Sequence, residues 1–205
     1  MDFPSIVRAL NFSIALKIEE RVCPDQYIGT VSSIESTGGI TSRSPASCRP
    51  DDNGLLLVLE SPHIEEFKGQ PAPAKGKTGT YIANYLGEAL GLDDTEIPVT
   101  LINAVQYQCS LGQPTGQYRD KIFTATWVNG GKQDFAARLK DLYRMGDTVI
   151  CCCTKGNNTI RAYQLRQMVY VAICEVLPNA QVLRRTHPSS WNVRRNRFYE
   201  WGADA

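Results

Sequence analysis

The sequence predicts an α/β fold: a three-layer αβα domain built around a mostly parallel, four-stranded sheet. Three observations predict it. Two continuous apolar runs, Leu55–Leu59 (LLLVL) and Val99–Val105 (VTLINAV), have the character of strands buried on both faces. Segments of helical spacing alternate with such runs, as they do where a parallel sheet is covered on both sides. The chain has 205 residues, 42% of them hydrophobic and 21% charged, which is enough for one domain whose core needs no staples.

The elements can be taken in order. The N-terminal stretch MDFPSIVRALNFSIALKIEERV reads as a half-buried amphipathic helix starting near Pro4. It lacks the layout of a signal peptide: Asp2 comes early, Arg8 is central, and Lys17, Glu19 and Glu20 occupy the place of a cleavage site. No apolar run approaches the ~20 residues that a membrane helix requires. The expectation is a cytoplasmic protein with no membrane partner. From Ile28 to Gly54 the chain is rich in Gly, Ser, Thr and Pro and reads as a loop or a loose strand. A boundary is placed there, with residues 1–53 a helix-and-loop extension and residues 54–205 the α/β core. In the core, Leu55–Leu59 is the first strand, and Thr78–Leu90 is a helix with Ile82, Leu86 and Leu90 on one face. Val99–Val105 is the second strand. Phe135, Leu139 and Leu142 mark a further helix that ends before Gly146. Thr148–Cys153 is the third strand, and Thr159–Val176 is a helix with Ile160, Leu165, Val169 and Ile173 inward. Ala180–Leu183 is a short fourth strand, followed by THPSSWN and a final helical turn.

Seven cysteines are many for such a chain, but no C-x-x-C pair exists, so neither zinc-ribbon nor redox spacing is present. Cys151, Cys152 and Cys153 are adjacent, alternate across a strand and form no relaxed disulfide with one another. The reading is reduced, mostly buried thiols. A net charge of +1 says nothing about nucleic acid, but its distribution does. Between Arg184 and Arg197 stand five arginines and no acid, which is either a solvated face or a phosphate-binding patch.

In a parallel α/β sheet, ligands bind beyond the carboxyl ends of the strands. That rule selects four segments. In ESPHIEEF, Glu60 follows a strand end, where a carboxylate either positions a water or a cation, or caps a helix. In PAPAKGKTGTYIANYL, two glycines and two lysines run into a helix and suggest phosphate contact, without satisfying the G-x-x-x-x-G-K-[ST] loop. Asn103, an amide at the end of a buried strand, bonds either to neighbouring backbone or to the edge of a base. His187, in THPSSWN, is either an exposed loop histidine or a donor that stabilises negative charge.

Taken together and in this order, the four segments resemble the uracil-DNA glycosylase superfamily over roughly Leu55 to Arg195. LLLVLESPH resembles the strand followed by G-Q-D-P-Y or G-E-A-P-G. PAKGKTGTYIANYL resembles P-F-x-G-x-A-G-x-x-L. LINAVQYQC is similar to L-x-N-x-V, and THPSSWN to H-P-S-P-L or H-P-S-A-L. The resemblance implies a DNA glycosylase that swings a target base, uracil or a C5-modified pyrimidine, into a pocket at the strand ends. It leaves an abasic site, in base-excision repair or in defence against phage. By the same resemblance, Glu60 stabilises the sugar cation or orients water, and His187 bonds the departing base. Asn103 reads the base edge, with His63, Ser61 and Ala74 beside it. Lys75, Lys77, Ser189, Arg194 and Arg195 contact DNA, and Trp191 is the wedge that fills the vacated stack.

The departures from the pattern carry their own expectations. Ser61 replaces the acid or amide that several branches place before the proline, so Glu60 alone holds that role. His63 stands where the uracil enzymes have a pocket-closing tyrosine. Ala74 stands where an aromatic stacks on the base, a loss of ~1–3 kcal/mol unless Tyr81, Phe67 or another ring replaces it. That loss is expected to widen the pocket for a bulky C5 group. Cys109 matches one ligand of the iron–sulfur branch, but the N-terminal pair is missing, so no cluster, other metal or cofactor is expected. DNA is the expected partner and a monomer the expected state. Two other readings compete: a catalytically degenerate DNA-binding member of the superfamily, and an unrelated doubly wound domain acting on a nucleotide or small phosphate.

Overall fold

The computed structural model describes residues 1–93, 95–110, 118–156 and 164–202. Its centre is a six-stranded mixed sheet, not the expected sheet of four. The strands are β1 (Gln26–Thr30), β2 (Ser44–Pro45), β3 (Leu55–Leu59), β4 (Pro98–Asn103), β5 (Thr148–Cys151) and β6 (Gln181–Arg184). Their order across the sheet is β2-β1-β4-β3-β5-β6. The strands from β3 onward pair in parallel, with Leu59 opposite Asn103 and Val58 opposite Cys151. β1 and β2 run antiparallel on the β4 side. Both fall largely within the segment read as a loop or a loose strand; their shortness, and the glycine in β1, leave little periodic signal.

Eight α-helices are described: α1 (Phe3–Leu10), α2 (Phe12–Ala15), α3 (Val31–Thr37), α4 (Lys77–Leu90), α5 (Arg119–Thr126), α6 (Lys132–Leu142), α7 (Leu165–Val176) and α8 (Arg194–Phe198). The expected N-terminal helix is two helices, because the Asn11 side chain accepts from the N–H groups of Ser13 and Ile14 and starts a new turn. α3 begins with a reciprocal cap between Thr30 and Ser33. The helix expected over Thr159–Val176 is described from Leu165; its earlier residues, Ile160 among them, lie outside the described residues.

Strand alternation divides the core in two. Leu56 and Val58 face α1, α5, α6 and α7, packing with Phe3, Phe123, Phe135 and Val169. Leu55, Leu57 and Leu59 face α3 and α4, packing with Ile34, Ile82 and Leu86. Each such leucine, taken fully out of water, contributes ~1.5–3 kcal/mol. Helices therefore cover both faces, as the α/β reading required. Five cysteines are buried and all seven are free thiols. Among the described residues, no helix is long and apolar enough to cross a membrane.

Candidate active site

The site follows from how the chain leaves the sheet. After β3 it enters α4, on the second core's face, and returns in β4. After β5 it enters α7, on the opposite face. β3 and β5 are neighbours, so their outgoing connections part company and leave a crevice at their carboxyl ends, the place where open α/β sheets bind ligands.

Glu60 is the first residue beyond β3 and sits in this crevice, 3% exposed. Its Oε2 accepts the Thr154 N–H, from the segment beyond β5, at 3.1 Å. Its Oε1 lies 3.1 Å from Arg119 Nε. Burial pushes the carboxyl up to about 7, against the pull of the Arg119 guanidinium and the Thr154 N–H. A carboxyl poised there is suited to take a proton near neutral pH.

His187 stands beyond β6 and caps the short turn Pro188–Ser190. Its Nδ1 accepts from the Ser189 N–H at 3.2 Å and lies 2.8 Å from Ser189 Oγ. An Nδ1 that accepts leaves the proton on Nε2. Burial, reinforced by Arg119, pushes the imidazole down to about 4, so at neutral pH it is an uncharged ring with an Nε2–H to donate. Arg119 is the charge that acts on both Glu60 and His187. It opens α5, and nothing in the sequence pattern marked it.

Asn103, the last residue of β4, is 1% exposed. Its backbone is clamped: the N–H donates to Asp25 Oδ1 at 3.3 Å and the carbonyl accepts from Arg138 at 3.1 Å. The side-chain Nδ2 lies 3.6 Å from Cys23 Sγ, and Oδ1 is buried with no partner among the described residues. Thr154 Oγ1 is buried and unpartnered in the same way, and Ser61 Oγ is buried with only the weak Cys109 thiol as a polar neighbour. These three atoms stand beyond the carboxyl ends of β4, β3 and β5, adjacent strands. An unmet buried polar group costs ~1–3 kcal/mol, so two at one end of a sheet, with a weakly met third, mark a place built to receive polar atoms. Glu60 and Asn103 nonetheless have different surroundings: Arg119 and Thr154 for the first, Cys23 and Asp25 for the second.

Glu66, which sequence reasoning passed over, holds the neighbouring loops. Its carboxylate accepts from the His63 N–H at 2.6 Å and from the Ala74 N–H. The signal was the His63-x-x-Glu66 spacing, a capping box that closes in the structure, with His63 half-buried. Ala74 corrects an expectation. It is 2% exposed, packed in the second core, and held in the left-handed region at φ 54°. The loop folds so closely on α4 that a Cβ at Gly79 would stand 2.0 Å from the Ala74 carbonyl. Core atoms fill the space beside Ala74, so the small residue does not widen a pocket.

Trp191 is the second correction. The expected wedge is fully buried, packed in the second core, and its Nε1 donates to the Thr186 carbonyl at 3.1 Å. An indole so placed stabilises the His187 loop and presents nothing to a base stack. The arginine run also divides. Arg184 and Arg185 face Glu200, and Arg197 pairs with Glu88 and lies over the Tyr85 ring. Arg194 and Arg195 remain exposed, Arg194 being 3.8 Å from Glu88. Lys75 donates to the Lys68 and Gln70 carbonyls, while Lys77 and Ser189 are exposed.

No protein-family model matches the chain, and comparison with the curated proteins and with the solved structures gave no match.

Proposed function

We propose that the protein is a DNA glycosylase that hydrolyses the N-glycosidic bond of a flipped-out pyrimidine, uracil or a C5-modified base. The observation that carries this reading is the buried Glu60 carboxyl just beyond β3, 3.1 Å from the Arg119 guanidinium, whose charge also acts on His187 beyond β6. Glycosidic cleavage creates positive charge on the sugar and negative charge on the base. Glu60 as carboxylate faces the first and draws a proton from the attacking water. The His187 Nε2–H faces the second. The orphaned Asn103 Oδ1 supplies an acceptor for a base N–H. Arg194, Arg195 and Lys77, all exposed, supply phosphate contacts. Support for a bulky C5 group no longer comes from Ala74.

The test offers DNAs carrying uracil, hydroxymethylated cytosine or glucosylated cytosine, and counts alkali-labile abasic sites. Sites in at least one DNA, lost in His187→Ala while DNA binding survives, are the expected result. Salt-dependent DNA binding without abasic sites would favour the non-catalytic DNA-binding reading. Neither sites nor salt-dependent binding would end both.

A further inference from the structure

Arg119 has a geometry that neutralising Glu60 does not require. A guanidinium that serves a carboxylate best does so through two parallel N–H bonds from its fork. Here Nε, not the fork, is engaged, 3.1 Å from Glu60 Oε1 and 2.9 Å from Asp120 Oδ1. The contacts to both acids run through Nε, which leaves the two terminal nitrogens, four N–H donors, outside these two pairings. The side chain is 15% exposed, so the fork is held in a largely buried position with one edge pinned by two acids. Arg119 also bears on His187, its charge helping burial to hold the imidazole down. The flanking Thr154 Oγ1, buried and unpartnered, and the weakly met Ser61 Oγ mark the same crevice as one that receives polar atoms.

We infer that Arg119 is a catalytic residue whose terminal guanidinium nitrogens, together with the His187 Nε2–H, receive the negative charge that gathers on the departing base. The inference rests on the glycosylase reading and deepens it. In the step, the bond between C1′ and base N1 breaks and its electron pair leaves with the base. The water oxygen forms the new bond to C1′, and its proton passes to the Glu60 carboxylate. That proton ends on base N1, which restores Glu60. A neutral imidazole brings one donor and no charge. The guanidinium brings a full positive charge in a site shielded from water, where it acts more strongly than it would in solvent. Its importance grows with the basicity of the departing anion. The site therefore suits bases that leave reluctantly: 5-fluorouracil needs Arg119 least, uracil more and cytosine-type bases most.

The experiment measures single-turnover release of 5-fluorouracil, uracil and cytosine from DNAs of one sequence, by wild type, Arg119→Lys and Arg119→Gln. For Arg119→Gln the expected loss is roughly 100-fold on uracil, less than about 10-fold on 5-fluorouracil, and greatest on any cytosine release. Arg119→Lys, which keeps the charge and loses the fork, falls between. An equal loss on every base would overturn the inference and leave Arg119 as a support for Glu60. Thermal unfolding checks each variant; if Arg119→Gln does not fold, the leaving-group dependence of Arg119→Lys decides in the same way. If the wild type releases no base at all, the glycosylase reading fails and the anion site is judged by itself. Equilibrium binding of 5-nitrouracil, an anion at neutral pH, should then weaken about 10-fold or more in Arg119→Gln. Unchanged binding, or none in the wild type, overturns it.

Discussion

A buried carboxyl with a single guanidinium beside it is held by opposing forces, and at Glu60 burial prevails. Its proton is bound more tightly in the folded chain than in the unfolded one. The sign follows: folding is favoured most below the ordinary glutamate value of 4.5, and that contribution is lost as pH rises through about 7. Glu66, raised to about 7 by burial, acts in the same direction. Denaturant midpoints should therefore fall between pH 5 and pH 8. Glu60→Gln should shrink the fall and be the more stable protein at pH 8. A Glu60→Gln variant less stable than wild type at both pH values would mean that the acid is there for the fold. Trp191 gives the opposite kind of residue. With its ring fully buried, Trp191→Ala should cost ~3–5 kcal/mol in urea unfolding. A loss under about 1 kcal/mol, the range of exposed sites, would restore it as a wedge. The position of this tryptophan after His-Pro-Ser-Ser was legible; the direction of its ring was not. Only the second core, formed by segments distant in sequence, determines that.

At the scale of elements, three of the ties that hold the N-terminal fifty residues to the rest of the fold stand out. β1 pairs with β4, Asp25 joins Arg138 at 2.6 Å, and Arg49 makes a two-pronged pair with Asp147. Arg49 and Asp147 are both essentially inaccessible, and Asp147 also accepts the Gly54 and Arg144 N–H groups. Removing one partner strands the other charge, so Arg49→Ala should destabilise the protein by about 3–5 kcal/mol, read from denaturant unfolding. A change of a few tenths would show that residues 1–53 merely lean on the core. These ties were invisible in the sequence for a physical reason. β1 carries a glycine with φ 104°, β2 is two residues long, and α3 offers Val31 and Ile34 amid serines and threonines. No period stands out from seven such residues. β3 and β4, buried on both faces, needed no partner to be recognised.

For the whole molecule, the alternation of strands and helices was enough to locate the crevice, because the rule about carboxyl ends needs only the direction of the chain. Glu60 was legible because it ends an apolar run, Asn103 because it is a lone amide within one, and His187 because it sits in the loop just after a short strand. Arg119 was not, since it follows a stretch without apolar period and reaches Glu60 only through the packing of α5. In the proposed reaction these groups act together, and Glu60 takes the proton of the attacking water. The most direct measurement is the single-turnover rate of base release against pH, for wild type and Glu60→Gln. The prediction is a rate that climbs through about pH 7 as Glu60 ionises, with no fall from imidazole protonation until about pH 4. Glu60→Gln should lose about 100-fold or more and the climb with it. A wild-type rate flat across pH 7, or a Glu60→Gln rate equal to wild type, would contradict the account.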